Sequence, residues 1–386
     1  MKLAKPSFFI LIALIGGLAI LSSTLSKTPV LPLFAQSLHA SPAEIGWIVM
    51  ASTIPGVLIS YPAGALADHL GHRRVLLASL IVFATAPFLY LLIDTAWQLM
   101  AVRFYHGFAT AIFGTVASAA IAERYTSDRA TRLSTYSSVT IVGRSIAPFL
   151  GGFLISLASF HAVYIACAIS GVLALGAGLL LGDDTPAPTG SLERPPFWNS
   201  LITVLRDRGI MLVSGVEAAQ YLVFGAIEAF LALYAASLDI PAWQIGAILG
   251  VQLVSIVFAK PLMGRVSDRV GRRQVIIPGL LVGAASVALL PYAPGFLGLT
   301  VLSLVFGIGF ATVTSSTAAL VADLTRDRRY GSSMGVLRTV MDVGQSIGPV
   351  LTGWMVGTAG YGSAFTGLAM ILVLAALLLG LVFEET

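Results

Sequence analysis

The stretch GALADHLGHR at residues 64–73 returns as GRVSDRVGRR at residues 264–273, with both glycines, the aspartate and the final arginine in register. Each copy separates two long apolar segments. A second pair of strings, GRSIAPFLGG at residues 143–152 and GQSIGPVLTG at residues 344–353, recurs at nearly the same offset. Because this offset is about half of the chain, the sequence predicts two similar halves whose segments run in the same order, as in a parallel repeat.

Composition places most of the chain inside a membrane. Of the 386 residues, 57% are hydrophobic and 10% are charged, whereas soluble domains carry about 25% charged residues. The apolar runs are continuous, and about 20 such residues span a bilayer as a helix. We therefore predict an all-α membrane protein with twelve transmembrane helices in two six-helix bundles. The segments lie near residues 8–34, 43–66, 75–94, 97–122, 132–157, 161–182, 209–236, 242–263, 275–292, 296–322, 331–358 and 362–382.

Lysine and arginine are distributed on one side of the predicted segments. The connections after the odd-numbered segments contain neither residue, whereas those after the even-numbered segments are rich in arginine. By the positive-inside rule, this asymmetry predicts that both termini lie in the cytoplasm of a cell whose inner membrane holds the protein. The proline-containing polar stretch between the sixth and seventh segments predicts a cytoplasmic linker. The expected division is a bundle at 1–182, a linker at 183–208 and a bundle at 209–386.

Several functional classes lack their sequence signatures. There is no G-x-x-x-x-G-K-[ST] nucleotide loop, no H-E-x-x-H metal motif and no G-x-S-x-G nucleophile motif, and the five histidines are dispersed. The short basic loops offer no extended face for nucleic acid. We therefore expect neither an enzyme, a metal site, a cofactor nor a nucleic-acid partner, and the chain leaves little room for the soluble domain of a sensor.

The repeated loop resembles the signature G-x-x-x-D-[RK]-x-G-[RK]-[RK] of the major facilitator superfamily, and the resemblance covers essentially the whole chain. It implies that the loops form a conformational gate that latches the two halves on the cytoplasmic side. Gly64 is expected where helix ends approach closely, Gly71 where a turn needs positive φ, and Asp68 where it caps the helix that begins near Tyr330. Solvated loop charges are the alternative. The expected gate residues are Gly64, Asp68, Gly71, Arg73, Gly264, Asp268, Gly271 and Arg273.

Two further strings resemble signatures of the same family. Arg103 to Gly107 is similar to its R-x-x-x-G motif, although Arg103 could instead snorkel to the membrane surface. The string at 143–152 looks like G-x-x-x-G-P-x-x-G-G, which is associated with exporters, with Ala147 in place of one glycine. This resemblance implies efflux and a bendable, closely packed helix. The residues expected to provide it are Gly143, Pro148, Gly151, Gly152, Gly348 and Pro349.

Ionisable side chains within the apolar segments are functional candidates, because charge is costly inside a bilayer. We expect a Lys27–Glu228 pair across the halves, whose role is either to stabilise one state of the cycle or to be a static ion pair. Glu217 and Lys260 lie nearer the cytoplasmic ends, where long side chains can snorkel. The substrate or proton-binding candidates are Lys27, Arg103, His106, Arg144, Glu217, Gln220, Glu228, Arg338, Asp342 and Gln345.

Together, these patterns favour a monomeric secondary transporter that exports a small organic solute through the bilayer in exchange for protons. Glu228 or Asp342 is the expected proton carrier, and Arg338, four residues from Asp342 on one helix face, is expected to neutralise it or to bind substrate. The embedded cations outnumber the acids, which favours a neutral or anionic solute. An uptake symporter or uniporter of a small, possibly anionic, metabolite remains the alternative.

Overall fold

The computed structural model describes residues 7–182, 204–325 and 330–382, and gives the backbone alone at residues 57, 60–62, 64, 65, 68 and 330–332. Regular secondary structure in these ranges is entirely helical, which confirms the all-α prediction. Most of the predicted linker lies outside the described residues. The first half contains α1 (Phe8–Leu25), α2 (Val30–Ser37), α3 (Pro42–Ala51), α4 (Ile54–Leu70), α5 (His72–Leu89), α6 (Ala96–Arg124), α7 (Arg129–Leu157) and α8 (Phe160–Leu179).

The described part of the second half contains five further long α-helices, and a short 3₁₀ turn follows the third apolar segment of each half. These helices are α9 (Arg208–Ser237), α10 (Ala242–Val270), α11 (Arg272–Leu289), α12 (Gly295–Leu324) and α13 (Tyr330–Val382). The last one comprises two helices joined at Gly360, which has φ 78°. Its division reproduces the eleventh and twelfth predicted segments.

Ten helical stretches in the described chain are long and apolar enough to cross a membrane. The second predicted segment is absent from this set because it is divided into α3 and α4 at Ser52 and Thr53. Pro55 at the start of α4 cannot donate a backbone hydrogen bond, which favours a new helix start there. The two helices joined in α13 count as one stretch, which accounts for the remaining difference from the twelve predicted segments. The protein is a multi-pass membrane protein.

The first predicted segment is also interrupted, where a single continuous helix was expected. The chain forms turns at residues 26–29, between α1 and α2, and Pro29 there lacks a backbone N–H. The Ser26 hydroxyl donates to the Ser23 carbonyl at 2.8 Å, and the Thr28 amide donates to the Thr24 carbonyl at 2.9 Å. These bonds satisfy freed backbone groups inside the membrane, as the apolar surroundings require. Lys27 lies on this interruption and is half-buried.

The described chain clusters into two compact units. The first contains residues 1–39 and 48–190, and the second contains residues 40–47 and 191–386. In the first unit, α1 packs on α7, α4 on α6, and α5 on both α6 and α8. In the second unit, α9 packs on α13, α10 on α12, and α11 on both α12 and α13. The same order of helix pairs in each unit is the three-dimensional form of the sequence repeat.

Glycines allow these helices to approach backbone to backbone. In the first unit, a Cβ atom added at Gly143 of α7 would lie 3.0 Å from the Gly17 carbonyl oxygen of α1. In the second unit, Gly344 and Gly348 of α13 lie against the Ala218 and Leu222 carbonyls of α9. Lipid is as apolar as leucine, so this close packing contributes much of the association energy. The expected packing role of the motif glycines is therefore present at these positions.

The same geometry provides a stability test on a single helix. Gly171 of α8 abuts the Phe83 carbonyl of α5, whereas no described atom outside the backbone of α8 lies within 4 Å of a Cβ added at Gly176. We expect Gly171→Ala to destabilise the protein by about 1–3 kcal/mol through overpacking. Gly176→Ala should be neutral or stabilising, because alanine favours helix. Thermal unfolding of the detergent-purified protein measures both, and equal effects of the two variants would contradict the packing argument.

Candidate functional site

Glu217 of α9 is the most deeply buried carboxylate among the described residues, with 4% of its surface exposed. Of the two interpretations that the sequence offered for Glu217, a binding candidate or a side chain that snorkels to the cytoplasmic surface, this burial does not fit the second. The Thr317 hydroxyl of α12 donates to its carboxylate, and Lys260 of α10 is close enough to act on it electrostatically. Thr317 and Lys260 lie on helices that pack against α9. Tertiary packing therefore supplies the Glu217 carboxylate with polar contacts inside the protein, and the side chain does not need to reach the surface.

Thr317 has a second acceptor within reach. Its hydroxyl oxygen also lies 2.9 Å from the Val313 carbonyl, one turn earlier on the same helix. A threonine hydroxyl has one proton to donate and two lone pairs to accept with. Thr317 can therefore donate to an ionised Glu217, or donate to Val313 and accept from a protonated Glu217. No sequence pattern indicated this partner, because threonines are common in membrane helices.

Helices α9 and α12 run antiparallel past each other. Glu217 meets Thr317, and the ring of Phe224, two turns further along, lies 4.5 Å from that of Phe310. This register brings Gln220 level with Thr314. Both side chains are buried, and neither the amide atoms of Gln220 nor the hydroxyl of Thr314 has a hydrogen-bond partner in the described part of the protein. Two further buried polar side chains thus lie about one turn from Glu217 and Thr317 along their own helices.

The candidates on α13 lie outside this cluster's described contacts. Asp342 is half-buried and feels the charge of Arg338, as their spacing of four residues predicts. Gln345 is half-buried, and its backbone carbonyl lies 2.5 Å from a Cβ added at Gly225 of α9. Glu228, which lies on α9, is likewise half-buried. The binding roles of these residues, and the Lys27–Glu228 pair, stay predictions.

Arg103 of α6 forms the centre of a second cluster, in the first unit. It is 4% exposed, so it does not snorkel. Its guanidinium donates to the Ser52 hydroxyl at 2.8 Å and to the Tyr90 hydroxyl at 3.3 Å. His106, one turn along α6 and 3% exposed, has Nδ1 3.3 Å from the same Tyr90 hydroxyl. Arg144 of α7, by contrast, is exposed on the surface of its unit.

The R-x-x-x-G spacing has a physical reason in this cluster. Arg103 reaches the interruption between α3 and α4 through Ser52, and Gly107, one turn later, lies directly against the Ser52 carbonyl. A side chain at position 107 would push α6 away from the interruption and out of reach of the arginine. The sequence identified Arg103 and His106 because they are ionisable. It missed Ser52 and Tyr90, which became visible as partners only through folding.

The repeated loops have the expected turns. Gly71 and Gly271 have φ values of 87° and 111°, which confirms the need for glycine. The side chains at 64 and 68 lie outside the described residues. Outside its own helix backbone, no described atom lies within 4 Å of a Cβ added at Gly264.

Two charged residues of the second loop, Asp268 and Arg272, pair within their own unit. Arg272 forms ion pairs with Asp268 and, at 3.0 Å, with Asp323. At the equivalent place in the first unit, His72 lies 3.7 Å from Glu123. The two copies thus differ in that a histidine replaces the permanently charged arginine.

The last arginine of each loop has the same role in both units. Arg73 donates through Nε to the Leu181 carbonyl at 2.7 Å, just beyond the C-terminus of α8. Arg273 donates to the Gly380 carbonyl near the end of α13. The final carbonyls of a helix have no partner within the helix and attract cations. Each arginine therefore ties the third segment of its half to the sixth.

Comparison with known proteins finds matches over nearly the whole chain. The family model described as Major Facilitator Superfamily matches residues 12–250 and 213–386. An uncharacterised MFS-type transporter of Methanocaldococcus jannaschii is 23% identical over 347 residues, covering 87% of this chain and 88% of that protein. The quinolone resistance protein NorA of Staphylococcus aureus is 26% identical over 334 residues, covering 84% of each.

Solved structures share the fold at low sequence identity. The crystal structure of a mutant of the nucleoside transporter NupG aligns with a TM-score of 0.86 at 16% identity, covering 98% of this chain and 100% of that one. A bacterial homologue of the human lysosomal transporter Spinster aligns with a TM-score of 0.79 at 16% identity, covering 97% and 94%. These likenesses extend over both halves.

The Thr317–Glu217 bond yields a testable prediction. Thr317→Val keeps the shape of the side chain but removes the hydroxyl. We expect the free energy of unfolding to fall by about 1–3 kcal/mol, because the buried Glu217 carboxylate loses a hydrogen-bond donor. Thr312→Val is the matched control, because among the described residues the Thr312 hydroxyl donates to the Ile308 carbonyl of its own helix and to no group of another helix. Thermal unfolding of the purified variants compares the two, and an effect of Thr317→Val no larger than that of the control would refute the assignment.

Proposed function

Because this chain belongs to the major facilitator superfamily, whose members are membrane transporters of small molecules, we propose that it exports a small organic solute in exchange for protons. The two bundles, 1–182 and 209–386, would be joined by the cytoplasmic linker at 183–208. They would open the solute pathway alternately to the two sides of the inner membrane. In this proposal the protein works as a monomer with both termini in the cytoplasm.

The observation that carries proton coupling is the contact between Glu217 and Thr317. A carboxylate within the membrane is costly and marks functional pathways. Thr317 offers a hydrogen bond to the ionised and to the protonated carboxylate, so the site can gain or lose a proton without leaving a buried group unpaired. Lys260 nearby compensates the ionised form. We therefore place the proton at Glu217 ahead of Glu228 and Asp342.

Export is supported by the motif of α7 and by a relative. The glycines at 143 and 151 pack against the first two helices, and Pro148 is buried within α7, as a bendable helix of an exporter requires. The name of NorA, a quinolone resistance protein, favours a drug-like solute. Quinolones carry a carboxylate, which fits the excess of embedded cations.

Uptake is the second candidate. The structural likeness to a nucleoside transporter is compatible with a hydrophilic metabolite that enters with a proton or by uniport. The candidate residues on α13, Arg338 and Asp342, would then contact the solute, together with Gln345 and Arg144. The repeated loops would gate either direction of transport.

Proteoliposomes with an imposed pH gradient distinguish the two directions. A fluorescent quinolone is the first probe, and a radiolabelled nucleoside is the second. For proton exchange, an acidic interior drives accumulation of the probe, because protons leave as the solute enters. For symport, an acidic exterior drives accumulation instead. Accumulation that is independent of the pH gradient for every probe would contradict proton coupling.

The same vesicles test the proton carrier. We expect Glu217→Gln to abolish gradient-driven accumulation while retaining exchange of labelled for unlabelled solute, because the amide cannot exchange a proton but leaves the solute pathway intact. Asp94→Asn, at an exposed connection, should behave as the unmodified protein. Persistence of gradient-driven accumulation in Glu217→Gln would remove Glu217 from the coupling mechanism, and the same assay on Glu228→Gln and Asp342→Asn would then identify the carrier.

A further inference from the structure

The cluster around Arg103 contains a buried cation without a described anion. The guanidinium is 4% exposed, and its side-chain partners in the described residues are two neutral hydroxyls, those of Ser52 and Tyr90. Removing a charge from water costs several kcal/mol unless an opposite charge compensates it. Hydroxyl dipoles orient towards the charge but do not neutralise it. Among the described residues, the positive charge of Arg103 is therefore not compensated by a negative charge.

Hydrogen-bond directions within the cluster follow from the chemistry of arginine. A guanidinium can only donate, so the Tyr90 oxygen accepts from Arg103. The Tyr90 hydroxyl proton is then free to point to Nδ1 of His106, 3.3 Å away. With Nδ1 acting as the acceptor, neutral His106 carries its hydrogen on Nε2. In this chain of hydrogen bonds, the Nε2–H group of His106 is left to donate to a further acceptor.

Three polar atoms of the cluster have no hydrogen-bond partner in the described chain: Nε of Arg103, Nε2 of His106 and the hydroxyl oxygen of Tyr164. The Tyr164 ring stacks on the Tyr90 ring with centroids 4.4 Å apart and planes 4° apart. Because Arg103 and His106 both bond to the Tyr90 hydroxyl, all three residues lie around Tyr90. All three atoms bear a hydrogen. Buried polar groups are normally paired, so an unpaired donor on the cation and two more on its neighbours point to an acceptor at this place.

We propose that a small monovalent anion, either a halide ion or a carboxylate group, binds beside Arg103 and accepts hydrogen bonds from Arg103, His106 and Tyr164. A water molecule would satisfy donors but would leave the charge uncompensated. The side chains of these three residues are between 1% and 4% exposed, so the ligand must be small. The site lies in the first unit, whereas Glu217 lies in the second, and the proposal therefore stands apart from proton coupling.

Thermal unfolding of the full chain in detergent tests for the anion. Sodium chloride, bromide or acetate would replace sodium gluconate stepwise at constant ionic strength, since gluconate is too bulky for a buried site. We expect the unfolding temperature to rise and saturate with at least one of the small anions, because a ligand that binds only the folded state stabilises it. Saturation with halides alone assigns an inorganic ion, and saturation with acetate assigns a carboxylate.

Two variants place the anion in the cluster. Arg103→Gln should abolish the saturable rise, and Tyr164→Phe, which keeps the charge and the ring, should weaken the apparent affinity by about tenfold for one lost hydrogen bond to an ion. Arg265→Gln and Tyr105→Phe are the matched controls and should leave anion binding unchanged. Arg265 is an exposed cation, and the Tyr105 hydroxyl bonds to that of Thr85. If Arg103→Gln does not fold, Tyr164→Phe alone decides.

The proposal is overturned if the small anions raise the unfolding temperature no more than gluconate does. It is equally overturned if Tyr164→Phe binds chloride or acetate as tightly as the unmodified protein. Both readouts measure binding without transport, so they remain informative even if the protein moves solute by another mechanism than proton exchange.

Discussion

The structure depends on one constraint: within a bilayer, the chain itself must satisfy nearly every backbone N–H and C=O group. Continuous helices satisfy it directly. The interruptions at residues 26–29 and at Ser52–Thr53 satisfy it through serine and threonine hydroxyls that bond to nearby carbonyls. These interruptions also offer polar groups at membrane depth, and Arg103 reaches one of them through Ser52. The irregular backbone and the buried charge therefore occur together.

The duplication supplies a common frame in which the two halves differ chemically. Both units use the same helix pairs and the same arginine contact to the end of the sixth helix. Their buried charges have opposite signs, with a cation in the first unit and a carboxylate in the second. Their loops also differ, because His72 replaces the arginine found at position 272. The repeated fold therefore holds a buried cation in one half and a buried carboxylate in the other.

The candidate sites were only partly predictable. Arg103, His106, Glu217 and Gln220 stood out because polar side chains are rare in apolar segments. Their partners did not stand out, since tyrosine and threonine are ordinary residues of membrane helices. For Glu217 the sequence left open that the side chain snorkels to the surface, because it lies near the cytoplasmic helix end. Its burial results from the approach of α12, which is remote in sequence.

Sequence alone determined the membrane class, the apolar segments and the internal repeat, because these depend on local hydropathy and on the order of residues along the chain. It also identified the loop glycines, since positive φ is a local requirement. Only the tertiary structure decided which polar residues meet. That outcome depends on the rotation of each helix about its axis and on the register between helices, which are set by the packing of glycines against distant backbone atoms.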